Sequence, residues 1–304
     1  MAAPMFLVSG VELVVAACRS GIVGAFPTVN CRGSEELDRW LGIIRARLQE
    51  SDAPAPWAAN LVVHPSNPRL QADLAVLCRH RPGLVITSVG SPRHVVGPLH
   101  DAGALVLADV ASLRHAEQAL AAGADGLVLL CAGAGGQTGH LSPFAFAAAA
   151  RALDRDVPLA LAGGLCDGRG LRAVEALGCD LACMGTRFIA ATESMASEDY
   201  RRMLVDSTAD DIVQTDAFTG LPANLLRPSL RRAGLDPDHL PARPAVDVSR
   251  DIDPDSPRSP FRRWRDLWSA GHSVSGVRSI GSVAEIVDEL AADYGRAEAP
   301  GLRR

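Results

Sequence analysis

Eight short apolar segments, each followed by a helix-like segment, predict an α/β chain closed into a (β/α)8 barrel. Three observations carry this. The strand segments are apolar along their whole length rather than alternating, so both of their faces are buried, as in a parallel sheet covered by helices. The intervening segments begin and end on helix start and stop residues. Eight βα units are also enough to close a ring, with an open doubly wound sheet as the competing architecture.

The elements follow in order. Residues 3–6 read as a first strand, and 11–19 as a helix closed by Gly21. Residues 22–26 form the second strand. Ser34 is placed to cap a helix running to Gln49, with Glu35 and Glu36 in its first turn. Strand three covers 57–63, and Asn67-Pro68 opens a helix that ends before Pro82. Strand four covers 84–89, and a helix over 92–102 stops at Gly103. Strand five covers 104–110. Ser112 caps a helix over 113–122 that stops at Gly123. Strand six covers 125–130, with a helix over 144–153. Strand seven covers 158–162, with a helix over 168–177 ended by Gly178. Strand eight covers 181–184.

After strand eight the pattern changes. Residues 199–269 are rich in charge and proline and poor in periodicity. Asp236-Pro-Asp and Asp251-Ile-Asp-Pro-Asp-Ser-Pro are turn signals, and 200–216 and 224–233 read as short helices. An amphipathic helix resumes over 281–294, with Val283, Ile286, Val287 and Leu290 on one face. The expected division is a barrel formed by 1–198 and 270–304, with 199–269 as an inserted cap.

Composition narrows the function classes. At 48% hydrophobic and 21% charged, the chain reads as globular. No apolar stretch is long enough to span a bilayer. Met1-Ala-Ala-Pro-Met-Phe-Leu has neither a basic leader nor a full apolar core, so a cytoplasmic protein is expected. Net charge is −5 with no basic stripe, which argues against nucleic acid as a partner. There is no lysine, so all 30 basic residues are arginine. No motif encodes an oligomeric state. The seven cysteines, at 18, 31, 78, 131, 166, 179 and 183, contain no C-x-x-C pair and read as reduced thiols with no metal site. Cys131 and Cys166 lie near strand ends and are candidate site-lining residues.

In a β/α barrel the chemistry sits at the carboxyl ends of the strands. Those ends carry Pro4-Met5, Pro27-Thr28, Asn60, residues 87–90, Asp109, the loop Gly133-Ala-Gly-Gly-Gln-Thr-Gly-His140, Gly163-Gly164 and Gly185-Thr186. The last two pairs follow strands seven and eight and would lie side by side. Backbone N–H groups freed by glycine, with a threonine hydroxyl, suit a phosphate.

The same residues carry a resemblance. The stretch Ala3-Pro-Met-Phe-Leu-Val-Ser9, Asn60, the glycine loop over 132–139, Leu141-Ser-Pro-Phe144, Ala162-Gly-Gly-x-x-Asp-Gly-Arg169 and Met184-Gly-Thr-Arg-Phe188 resemble the nitronate monooxygenase family, formerly called 2-nitropropane dioxygenases. The resemblance runs from the first strand to Trp268-Ser-Ala-Gly271. It implies an FMN-dependent TIM barrel with an inserted, mostly helical substrate domain, oxidising nitronates with molecular oxygen. It further implies that Ala3, Pro4 and Met5 line the isoalloxazine and that Asn60 hydrogen-bonds the ring. Ala134, Gly135 and Gly136 then wall its reactive face, while Gly163, Gly164, Gly185 and Thr186 hold the phosphate.

Two departures from the family pattern bear on mechanism. Many members carry a histidine base where this chain has Gln137, a neutral amide that cannot take a proton. His140 and His272 are the candidate replacements. Relatives often place a lysine where this chain has Asp109, so a cation near the cofactor gives way to a carboxyl group. Without the base, a nitronate is favoured over the neutral nitroalkane, whose α-proton must be removed. Two other functions fit the same scaffold. One is a flavin-dependent enoyl-thioester (enoyl-acyl-carrier-protein) reductase using NAD(P)H. The other is an FMN-binding protein with altered or lost catalysis.

Overall fold

Strand and helix alternate as the apolar runs predict. The computed structural model of the protein describes residues 1–242, 245–250 and 266–297. Its first half contains α1 (Val11–Arg19), β1 (Gly24–Pro27), α2 (Ser34–Gln49), β2 (Trp57–Val62), α3 (Leu70–His80), β3 (Leu84–Ser88), α4 (Arg93–Asp101), β4 (Leu105–Val110), α5 (Leu113–Ala121) and β5 (Gly126–Leu130). A short strand β6 (Gly136–Gln137) precedes α6 (Pro143–Leu153), β7 (Leu159–Ala162), α7 (Gly168–Ala176), β8 (Leu181–Cys183) and α8 (Thr186–Ile189). Then come α9 (Glu198–Asp206), β9 (Ile212–Thr215), β10 (Ala223–Leu226), α10 (Arg227–Arg232) and α11 (Val283–Arg296).

Seven strands form one parallel sheet in the order β1-β2-β3-β4-β5-β7-β8. The two edges of that sheet meet at a single residue. Ala2 forms a parallel bridge to Gly24 on one side and to Met184 on the other. The expected first strand over 3–6 is therefore reduced to this bridge. Pro4 has no N–H to add to a ladder. Asn30 also pulls the following residues into a turn: its amide donates to the Met5 and Ser9 carbonyls and accepts from Leu7 N–H.

Strand alternation sorts the core into two shells. Ala25, Ala58, Ile86, Leu107, Val128, Ala160, Ala162 and Cys183 fill the lumen, and small residues there leave room for the larger ones. The residues between them, such as Leu61, Val85, Val106, Leu127, Leu129 and Leu161, face the helices. Ser112, Ser142 and Asp167 cap α5, α6 and α7 by accepting from the third residue onward, and Ser282 with Glu285 closes a capping box on α11. Ser34 is not the expected cap of α2. Gly33 takes that position, and the Ser34 hydroxyl instead donates to the buried Asp73 carboxylate at 2.9 Å. That bond ties α2 to α3, and Asp73 is held within the first turn of α3 by Arg69 at 3.1 Å.

The segment after α8, where a helical cap was expected, is not simply helical. The expected helix over 200–216 ends at Asp206 and gives way to β9, and the one over 224–233 begins as β10. Ile212 and Val213 favour a strand, and Leu226 stays extended as the cap of α10, whose first turn is Arg227-Pro228. β10 pairs antiparallel with β9 on one side and with β6, from the barrel's glycine loop, on the other. Ser269 bridges Leu225. Backbone pairing thus joins residues 212–226 to the glycine loop. The turn signal at 251–257 lies outside the described residues. No helix among the described residues is long and apolar enough to cross a membrane.

Gly168 sets how closely α11 packs on α7. A Cβ there would lie 2.0 Å from the Tyr294 backbone nitrogen. Gly168→Ala is expected to lower unfolding free energy by about 3 kcal/mol in denaturant titration. Gly42→Ala, in the open middle of α2, is expected to raise it by about 0.5–1 kcal/mol. Equal effects at the two positions would show that the α7–α11 contact is not a constraint.

Candidate functional site

The carboxyl ends of the strands open into a cavity of about 270 Å³. Its floor is the top layer of the lumen: Asn60 from β2, Ser88 from β3, Asp109 from β4, Leu130 from β5, Ala162 from β7 and Cys183 from β8. The turn over residues 3–8 forms one wall and the glycine loop another. Residues from the segment after α8 supply a roof that includes Tyr200, Thr219, Leu221, Val248 and Leu267. Every expected cofactor-binding position, and Gln137, lines this one cavity.

Asn60 is 6% exposed and held rigidly. Its amide donates to the Ile86 carbonyl at 3.1 Å and to Ser88 Oγ at 3.0 Å, which leaves its oxygen with acceptor capacity. The next residue along β3's exit, Val89, has φ +57, a costly conformation for a β-branched residue and one that clusters at ligand sites.

Asp109 is half-buried and has no hydrogen-bond or ion-pair partner among the described residues. Burial pushes its carboxyl up to about 7. No arginine or histidine lines the cavity among the described residues, and the chain has no lysine. The Cys183 thiol shares the floor and is pushed up to about 12, chiefly by burial and also by Asp109, so it stays neutral. Cys131 and Cys166, the expected site-lining thiols, do not line the cavity. Cys131 is buried with its Sγ toward the Leu129 carbonyl, and Cys166 packs against Gly276.

One end of the cavity is a backbone cradle. Gly163 and Gly164 have φ +132 and +74, open only to glycine without strain. The N–H groups of Gly163, Gly164 and Gly185 have no hydrogen-bond partner among the described residues. Thr186 is 4% exposed. Its Oγ1 accepts from Gly271 N–H at 2.9 Å, so its own proton remains free to donate.

The glycine loop owes most of its glycines to chain packing rather than to a ligand. A Cβ on Gly139 would lie 2.1 Å from the Leu130 carbonyl oxygen. One on Gly135 would lie 2.7 Å from Gly271 N, and one on Gly133 2.9 Å from His272 Nδ1. Gly136, with φ +63 and open space where a Cβ would be, faces the cavity freely. Gln137 follows it, half-buried, with no side-chain hydrogen bond among the described residues.

The two candidate histidines are not brought to the cavity. Both are exposed, and neither lines it. Gly139 docks on Leu130, and the Leu141 carbonyl accepts from Ala132 N–H at 2.7 Å, which turns the chain outward at His140. His272 N–H donates to the Gly133 carbonyl at 2.9 Å, and its ring lies against Gly133 on the far side of the loop.

Several site residues had no signal in the sequence. Tyr200 OH donates to the Ser269 carbonyl and accepts from Ser269 N–H at 3.1 Å, while its ring stacks on Trp268 at 4.8 Å. Asn224, 2% exposed, donates to the Ala134 carbonyl at 2.7 Å and fixes the glycine loop. Ser269 Oγ is buried without a partner among the described residues at the edge of the cavity. Only Trp268-Ser-Ala-Gly271 drew attention beforehand. No group of three or more His, Cys, Asp or Glu side chains among the described residues is placed to hold a metal.

The raised Asp109 carboxyl has a consequence for stability. Unfolded, the group titrates near 3.8, and folded near 7, so the folded state binds the extra proton between those values. Stability contributed by protonation is therefore lost as pH rises through that window. Asp109→Asn is expected to stabilise the ligand-free protein more at pH 8 than at pH 5, read as melting temperature. An equal shift at both pH values would show that Asp109 titrates normally.

Similarity to known proteins extends over most of the chain. The family model described as nitronate monooxygenase matches residues 54–293. A nitronate monooxygenase of Paraburkholderia phytofirmans is 37% identical over 175 residues, covering 55% of this chain and 48% of that protein. The aligned part thus spans about half the length of that relative. A solved structure of nitroalkane oxidase from Streptomyces ansochromogenes superposes with TM-score 0.80 at 25% identity, covering 97% of this chain and 95% of that one. FabK from Thermotoga maritima superposes with TM-score 0.78 at 23% identity, over 97% and 92% of the two chains, a likeness of fold alone.

Proposed function

Because the chain belongs to the nitronate monooxygenase family, we propose that it is an FMN-dependent oxidoreductase that oxidises alkyl nitronates with molecular oxygen. The observation that carries the cofactor reading is the cradle of unpartnered N–H groups at Gly163, Gly164 and Gly185, beside the free Thr186 proton, at one end of a cavity with otherwise mostly apolar walls. A phosphate monoester suits such a cradle, and a planar ring suits the space between the Ala3–Met5 wall and the glycine loop.

When bound, FMN supplies the electron transfer that no side chain here can. The chain's own residues bind and orient. Asn60 offers an acceptor fixed by two hydrogen bonds. Gln137 offers a free amide donor to a nitro-group oxygen. The roof formed by Tyr200, Leu221 and Leu267 excludes water from the ligand. No histidine lines the cavity among the described residues, and the one carboxyl group lies on the floor, on the opposite side from the roof. An already deprotonated nitronate needs no base, so it is the favoured substrate.

Oxygen uptake by purified, flavin-loaded protein tests this reading. Consumption is expected with propyl-1-nitronate and at least about 100-fold less with neutral nitropropane, the scale of a missing general base. Gln137→His is expected to raise the rate on the neutral form. Comparable wild-type rates on both forms would overturn the substrate assignment. Rapid anaerobic reduction of the flavin by NADPH, followed by crotonyl-thioester turnover, would replace it with the enoyl-reductase reading. A yellow protein inert to all of these would be a binding protein, and a colourless one that cannot be loaded would refute the cofactor.

A further inference from the structure

We propose that Asp109 engages the ligand of this cavity as a neutral acid, donating its proton in a hydrogen bond, so that binding takes up a proton from solvent. The proposal rests on the FMN reading above for its probe.

The placement comes from strand alternation. In β4, Val106, Ala108 and Val110 belong to the shell facing the helices, and Leu107 belongs to the lumen. Asp109 falls on the same side as Leu107, one layer higher, on the cavity floor. Its strand neighbours present no charge. β3 contributes Ile86 and Ser88, and β5 contributes Val128 and Leu130. Across the lumen stand Asn60 and the neutral Cys183 thiol. The remaining titratable group in the lining is Tyr200, on the roof, whose phenol is raised by burial and stays protonated. The ion pair nearest in sequence, His100 with Asp125, is on the outside of the barrel near the start of β4.

An ionised Asp109 therefore depends on water for its solvation. A ligand that covers the floor removes that water, and no cationic side chain among the described residues replaces it; the Met1 ammonium near Cys183 donates to the Ala182 carbonyl and is itself pushed towards its neutral form by burial. An uncompensated charge in such a place is far costlier than the neutral acid. Once protonated, the carboxyl has one O–H donor, which matches the carbonyl oxygens and ring nitrogens of a flavin and would also accommodate an electron-rich substrate. The elevated titration of Asp109 in the ligand-free protein is the first half of the same effect.

Titrating apoprotein with FMN tests the coupling without any turnover. Calorimetry at pH 8 in two buffers of different ionisation enthalpy counts the protons taken up. Wild type is expected to take up close to one proton more than Asp109→Asn. The phosphate of FMN titrates in both and cancels in the difference. Flavin fluorescence quenching is expected to show wild-type affinity falling by up to about tenfold per pH unit above the Asp109 titration, the limit for one linked proton, with that component absent in Asp109→Asn. Riboflavin, which lacks the phosphate, is expected to give the same slope with wild type alone, so the outcome does not hinge on the variant folding. Equal proton uptake by both proteins, or a flat riboflavin profile, overturns the proposal while leaving FMN binding intact. Absence of flavin binding at every pH refutes the cofactor reading and the proposal together.

Discussion

Two stretches of backbone, residues 133–135 and 270–272, lie so close that no side chain fits between them, and much of the site depends on that contact. A Cβ on Gly271 would be 2.4 Å from the Gly133 carbonyl oxygen, and one on Gly135 would be 2.7 Å from Gly271 N. The contact joins the loop after β5 to the segment by which the chain returns from its insertion. It also brings Gly271 N–H onto Thr186 Oγ1, which links the cradle after β8 to the same point. With β6 pairing to β10, the barrel wall, the roof and the cradle become one hydrogen-bonded unit. Backbone hydrogen bonds thus join the elements that carry the cavity's lining.

That construction explains the electrostatic character of the site. Backbone N–H groups, an amide, hydroxyls and apolar side chains line the space, and among the described residues no cationic side chain does. Binding of an anion then falls to the N–H cradle. Among the described residues Asp109 is the one carboxyl lining the cavity and has no ion-pair partner, so burial moves its titration to about 7.

The architecture was largely legible because its signals are local. The apolar strands after the first, the Ser112 cap and the stop glycines act over a few residues, and the elements they mark are present. Failures came where a distant group outbid a local preference. Ser34 is a good cap by type, yet Asp73, thirty-nine positions away, takes its hydroxyl. Residues 200–216 have a helical composition, yet pairing with β10 draws 212–215 into a strand. Asn30, which holds the turn over 5–9, has no local signature at all.

By itself the sequence determined that this chain alternates strand and helix, that glycine pairs end its last two parallel strands, and that Gln137 and Asp109 stand at strand exits. These follow from residue type and spacing along the chain. Only the tertiary structure decided which of those residues meet. It put Asn60, Asp109, Gln137 and the glycine cradle around one cavity and turned His140 and His272 away from it. It also showed that the glycines of the 133–139 loop serve chiefly to let backbone pack on backbone, with Gly136 left to face a ligand. A glycine in a sequence says that a side chain is missing. What occupies the space where it would have been depends on elements more than a hundred residues away.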